Sequence, residues 1–195
     1  RPGEFSDDAM LLGAERAAKK AGISKEEADE AALLSHKRAS RVEKEGCLAP
    51  YIVPLFGSTR DEAIRPRMSE RLLARAPHVT NVPDGILTAA NACTMNDGAA
   101  FVALASDDWV KAHGAHPMAE IKAVRASGGD AACSPLMADQ AVSQLLSREG
   151  LSYEDIDAFE YNEAFAVISA DFMERHPSVK DRLNCFGGAL AYGHP

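Results

Sequence analysis

Near its end the chain carries Gly187-Gly188 and then Gly193-His194-Pro195, spaced by small residues. Paired glycines let a backbone take positive φ or pass close to a ligand with no Cβ in the way. His194 then offers the side chain whose ordinary pKa permits proton traffic near neutrality. Taken alone, a histidine in a glycine loop is a turn residue or a satisfied polar group. A second run, Asn162-Glu163-Ala164-Phe165-Ala166, falls where a short apolar segment meets a helical one. The carboxyl end of a strand is where α/β sheets bind ligands. Asn162 there either caps the helix or holds a ligand or water by its amide. Glu163 suits the first turn of that helix, and Phe165 suits the core or a pocket wall. A third run, Thr88 to Gly98, sets Asn91, Asn96 and Asp97 among alanines around Cys93. These are turn formers, yet burying such polar groups unpaired would cost ~1–3 kcal/mol each. They either build a structural loop or shape a site. Together in one α/β region, the three runs favour a catalytic histidine.

Helices must position these runs. Small residues predict a helix over 7–21, ended by Gly22. Ser24 and Glu27 form a capping box for a helix over 25–45, whose Ala28, Ala31, Ala32, Ser35, Ala39 and Val42 make a narrow face. Further helices are expected near 69–75, 107–113, 134–148 and 163–176. Strands are expected at 51–54, 99–106, 118–126 and 158–161, the first confined to an edge by Pro54. The composition changes near residue 80, from helical to alternating strand and helix.

The chain has 195 residues, 46% hydrophobic and 26% charged, enough for a sizeable core. Twenty-one basic against twenty-nine acidic residues give a net charge of −8. That balance argues against general nucleic-acid binding but allows a local basic site for a phosphorylated ligand. No apolar stretch reaches the roughly 20 residues of a bilayer span, so no membrane partner is expected. Residues 1–4 show no signal-peptide pattern. Cys47, Cys93, Cys133 and Cys185 form no CxxC pair, which predicts reduced, mostly buried thiols and a reducing, cytoplasmic setting. A chain ending on a Gly-His-Pro loop reads as a piece of a longer protein.

The three runs together resemble the thiolase family, in order and at similar separations: Thr-Ala-x-Asn-Ala-x-x-x-Asn-Asp-Gly-Ala-Ala, Asn-Glu-Ala-Phe and Asn-x-x-Gly-Gly-x-Leu-Ala-x-Gly-His-Pro. The front part, from Met10 to Glu15 and through Ser35-His36, is similar to the helical loop domain of thiolases. The resemblance implies an α/β fold layered α/β/α/β/α in the full protein. It divides this chain into a helical loop domain (1–84), the last strand and helix of the amino-terminal half (85–116) and the first part of the carboxy-terminal half (117–195). The implied activity is an acyl-CoA acyltransferase (acetyl-CoA C-acetyltransferase) that joins acyl-CoA molecules by Claisen condensation or runs the thiolytic reverse. Coenzyme A thioesters are its substrates, with no cofactor or metal, in a homodimer or homotetramer.

By resemblance, His194 matches the histidine that helps activate the nucleophile and contributes to an oxyanion hole. Asn162 matches the residue fixing a water there, and Phe165 a pocket-lining aromatic. Arg65 matches a residue near the CoA nucleotide, where a cation suits phosphates; among its neighbouring arginines it could equally be surface charge. Met10 matches a methionine over the pantetheine arm. Cys93 stands where many thiolases place a serine touching the pantetheine. Phe186 and Tyr192 replace smaller or polar residues, which would reshape the acyl pocket, and the segment between Pro54 and Ile64 is short. None of the four cysteines lies in the context of the family's nucleophile or its second Cys, so no nucleophile is assigned and this chain alone is expected to be inactive. A non-catalytic thiolase-like module binding CoA esters or lipids is the alternative.

Overall fold

The computed structural model describes residues 9–195. Positions 1–8, which include the start of the expected first helix and the residues read for a signal peptide, lie outside the described residues. Seven α-helices follow in order: α1 (Ala9–Ala21), α2 (Lys25–Lys44), α3 (Glu70–Ala74), α4 (Asp107–His113), α5 (Met137–Glu149), α6 (Ala166–Arg175) and α7 (Ala189–Tyr192). The capping box of α2 forms as its sequence requires. Glu27 N–H donates to Ser24 Oγ at 3.2 Å, and Ser24 N–H donates to Glu27 Oε2 at 2.7 Å. That backbone hydrogen bond, more than any other contact, holds the Glu27 carboxyl below its usual range. Gly22 (φ +73°) lets the chain leave α1 and enter the cap.

The small face of α2 organises the molecule. Ala28, Ala31, Ala32, Ser35, Ala39 and Val42 are all buried, and α3, α6 and α7 pack on this helix. Side chains this small allow close backbone approach. A Cβ on Gly187 would lie 2.8 Å from Ala39 Cβ and 2.9 Å from the Ser35 carbonyl, so only glycine fits there, at φ +86°. One core joins α1, α2 and α6 with Leu73, Leu87, Cys133, Phe165 and Leu190. A second gathers Phe159, Tyr161, Phe172, Val179 and Leu183, with Tyr153 packed against them.

Asp139 of α5 ties down this second core. Its Oδ1 accepts from Tyr153 Oη at 2.8 Å and Tyr161 Oη at 3.2 Å, and lies 3.0 Å from His176 Nε2. Burial first, then the nearby carboxylate, pushes both phenols well above the ordinary tyrosine range. Both tyrosines therefore serve as hydrogen-bond donors.

The expected strands are not formed as ladders. Among the described residues every β-bridge is isolated. Residues 49–51 form a 3₁₀ turn in place of the strand at 51–54, followed by a tight reversal through Phe56 and Gly57, both at positive φ. The run 99–106 forms no regular element and is exposed, with Phe101 and Val102 open to solvent. The run 118–126 is similar, with Met118 and Val124 exposed. Apolar runs specify an extended backbone, but a strand exists only where another segment accepts its hydrogen bonds. Only 158–161 finds one, through the parallel Phe159–Leu183 bridge. The helix expected over 134–148 begins instead as a 3₁₀ segment, Ala131–Leu136, kinked at Cys133, before α5.

Candidate active site

Three loops meet at one edge of the first core, and backbone hydrogen bonds join them. The run after Thr88 pairs with the run after Asn162: Cys93 N–H donates to Ala164 O at 3.0 Å, and Ala166 N–H to Asn91 O at 2.9 Å. The same run pairs with the chain's end, where His194 N–H donates to Thr94 O at 2.8 Å and Asn96 N–H to His194 O at 3.3 Å. Asn96 adds a side-chain bond, Nδ2 to Tyr192 O, at 3.0 Å. Gly193 (φ +82°) passes so close to Asn96 that a Cβ would lie 2.2 Å from its Cγ. These contacts aim the imidazole. Asn162 Nδ2 lies 3.1 Å from His194 Nε2, with both side chains reachable from solvent.

With the amide donating, Nε2 is the unprotonated ring nitrogen; once protonated it becomes a donor toward an outside oxygen. The pair is thus a carboxamide and an imidazole that can present N–H groups to one point, as a developing oxyanion requires. Asn162 does not cap α6. That helix starts at Ala166, three residues later than expected, because the backbone at 164–166 is bonded to the Asn91–Cys93 run.

Glu163, expected in a first helical turn, is buried outside the helix. Its Oε2 accepts from Ser35 Oγ at 2.7 Å and its Oε1 from Ser169 Oγ at 2.7 Å. Asn91 takes the structural role offered for it. Buried completely, its Oδ1 accepts from Thr88 N–H at 2.7 Å and its Nδ2 donates to Asp29 at 2.9 Å and Ile86 O at 3.0 Å. Asp29 is ion-paired with Lys25, which joins the loop to α2. The turn before it is clamped from α1: buried Glu15 accepts from Thr80 Oγ1, Ile86 N–H and Leu87 N–H, at 2.7, 2.9 and 3.2 Å.

Asn184 carries a role that reading the sequence missed. It sits at φ +43°, fully buried, and its amide pairs with both backbone groups of Tyr161: Oδ1 accepts from N–H at 2.8 Å and Nδ2 donates to the carbonyl at 3.0 Å. The side chain thereby extends the pairing begun by Phe159 and Leu183, one residue before Asn162. Its place at the head of the Asn-x-x-Gly-Gly run was the available signal.

The remaining candidates are spread out. Arg65 is exposed and lines a cavity of about 480 Å³ with Arg67, Met68, Leu72, Pro77 and Ala89. Its N–H donates to His36 Nδ1 of α2 at 3.2 Å. Burial first, then the Arg65 charge, lowers the His36 pKa to about 4, which keeps that nitrogen an acceptor. Phe165 is buried in the first core, its backbone bridged to Ala92. Met10 is exposed on the first turn of α1 and is not among the residues lining the cavity. Phe186 is also exposed, and Tyr192 Oη turns back to donate to its carbonyl.

The thiols depart from expectation. Only Cys133 is buried; Cys47 is exposed, and Cys93 and Cys185 are half-buried. Cys47 follows the carboxyl end of α2, and Cys185 lies beside its last turn, where Arg41 donates to the Cys185 carbonyl at 3.0 Å. Burial pushes the Cys93 thiol up, so it stays protonated at neutral pH. Among the described residues no cluster of His, Cys, Asp and Glu could hold a metal ion, and no helix is long and apolar enough to cross a membrane.

The model of the thiolase N-terminal domain matches residues 3–108, and that of the thiolase C-terminal domain matches residues 115–195. The chain is 37% identical to a 3-ketoacyl-CoA thiolase of Aeromonas hydrophila, over 95% of this chain and 51% of that protein. The crystal structure of the Bacillus anthracis acetyl-CoA acetyltransferase matches with a TM-score of 0.87 at 29% identity, covering 100% of this chain and 54% of that one. Human mitochondrial 3-ketoacyl-CoA thiolase, solved in complex with CoA, matches with a TM-score of 0.83 at 32% identity, covering 95% and 48%. The chain spans about half the length of the curated relatives it matches.

Proposed function

The chain belongs to the thiolase family, with its thiolase-like fold, and on that premise we propose that the whole protein is an acyl-CoA acyltransferase. It joins two acyl-CoA thioesters by Claisen condensation or cleaves a 3-ketoacyl-CoA with free CoA. The observation that carries the reading is the 3.1 Å approach of the Asn162 amide to His194 Nε2. Removing a proton next to a thioester places negative charge on the carbonyl oxygen. An N–H donor directed at that oxygen stabilises the developing charge and lowers the barrier. His194 supplies that donor in its Nε2-protonated form, and Asn162 orients the ring and fixes a water beside it. The Arg65 cavity suits the nucleotide end of CoA, because Arg65 and Arg67 supply charge for its phosphates and Met68, Leu72 and Pro77 supply apolar walls. Cys93 and Phe165 line the path of the pantetheine and acyl groups, and Met10 covers the pantetheine. The division at residues 84 and 116, a cytoplasmic setting, and assembly as a homodimer or homotetramer belong to the same proposal.

Thiolysis of acetoacetyl-CoA by the whole protein tests it. His194→Ala is expected to lower kcat by at least ~100-fold. Near-normal turnover in that variant removes the histidine from the mechanism, and CoA binding with no turnover in the unsubstituted protein favours a binding module instead.

A further inference from the structure

We propose that Ser35 and Glu163 are positioning residues that hold the His194 imidazole against the Asn162 carboxamide. The inference rests on the reading of that pair as the acyltransferase site. Asn162 and Glu163 are neighbours in an extended stretch, where successive side chains point to opposite faces. The first faces His194 and the second is buried against α2. Both oxygens of this buried carboxylate are met by serine hydroxyls, one from α2 and one from α6. Since the Ser35 proton goes to Glu163, a lone pair of Oγ is left facing outward, and it accepts from Gly188 N–H at 3.0 Å. The carboxylate thus fixes the orientation in which Ser35 receives the loop.

Gly188 is the root of α7. Its carbonyl accepts from Ala191 and Tyr192 N–H at 2.9 and 3.1 Å, so its placement sets that single turn, which ends at Gly193 and delivers His194. The fit admits nothing larger: a Cβ on Gly188 would lie 2.4 Å from Glu163 Oε2 and 2.7 Å from Asn184 Nδ2. The same carboxylate therefore borders Asn162 along the chain and His194 through the relay. Both partners of the pair are referred to one rigid helix.

The test uses the whole protein with Ser35→Ala and, separately, Glu163→Gln, which keeps the size but cannot accept from both serines. For each, thiolysis kinetics are measured together with the ring NMR titration of His194, whose signal is assigned by its loss in His194→Ala. The expected result is a fall in kcat of about tenfold or more, with KM for the acyl-CoA within about twofold, and a displaced His194 titration. An unchanged His194 titration in both variants overturns the proposal, whatever happens to stability. So does loss of folding in both, which assigns the residues to stability alone. If the unsubstituted protein shows no turnover, the acyltransferase reading falls, while the ring titration still decides whether the relay positions the histidine.

Discussion

Acidification should loosen the cavity wall through a single side chain. His36 is 2% exposed on α2, and its Nδ1 accepts the Arg65 N–H, so the folded protein selects the neutral ring. Its pKa falls from 6.5 to about 4. A histidine with a depressed folded pKa is protonated first in the unfolded chain, so stability is complete above pH 6.5 and declines as pH falls toward 4. The linkage relation gives a loss of about 2 kcal/mol at pH 5 and about 3 kcal/mol near pH 4 from this group. Carboxylates titrate in the same range and would obscure a single profile. The comparison is therefore with His36→Asn, which keeps an acceptor for Arg65 N–H but does not ionise. Urea unfolding followed by far-UV circular dichroism, at steps from pH 7 to pH 4.5, should show a steeper loss of stability in the unsubstituted protein. Parallel profiles for the two proteins would refute the reasoning.

Two further substitutions probe the scaffold. Asn184→Ala removes both partners of buried Tyr161's backbone and leaves a residue with a Cβ at positive φ, so a loss of about 3 kcal/mol is expected in urea unfolding. A loss below about 1 kcal/mol would show that water replaces the amide. Glu15→Ala strips acceptors from the Thr80 hydroxyl and two backbone N–H groups, and should cost about 2–4 kcal/mol. Its amide exchange at Ile86 and Leu87 should accelerate, and unaltered protection there would count against the clamp.

The parts of this molecule governed by neighbours in sequence could be read before any coordinates. The Ser24–Glu27 box, the small face of α2 and the helix at 107–113 depend on spacing within one or two helical turns. The meeting of Asn162 with His194 was anticipated because the motifs were recognised as a set; neither residue alone carried it. What escaped were pairings between distant segments. Nothing in Asn162-Glu163 says which side chain faces outward, and Glu163 was assigned to a helix that begins only at Ala166. The runs at 99–106 and 118–126 have the apolar content of strands, which names neither a partner nor a ladder. Cysteine burial was inferred from the habits of the residue type, whereas Cys47 and Cys185 take their exposure from the loops that carry them.

The amide of Asn184 guards against a particular error. A slip of one residue along the parallel pairing would turn the Asn162 carboxamide into the interior and swing the Glu163 carboxylate out to solvent, exchanging their tasks. Because that amide grips both polar groups of Tyr161, only one alignment satisfies it. Fidelity at the reactive edge is thus enforced by a side chain that never touches the imidazole.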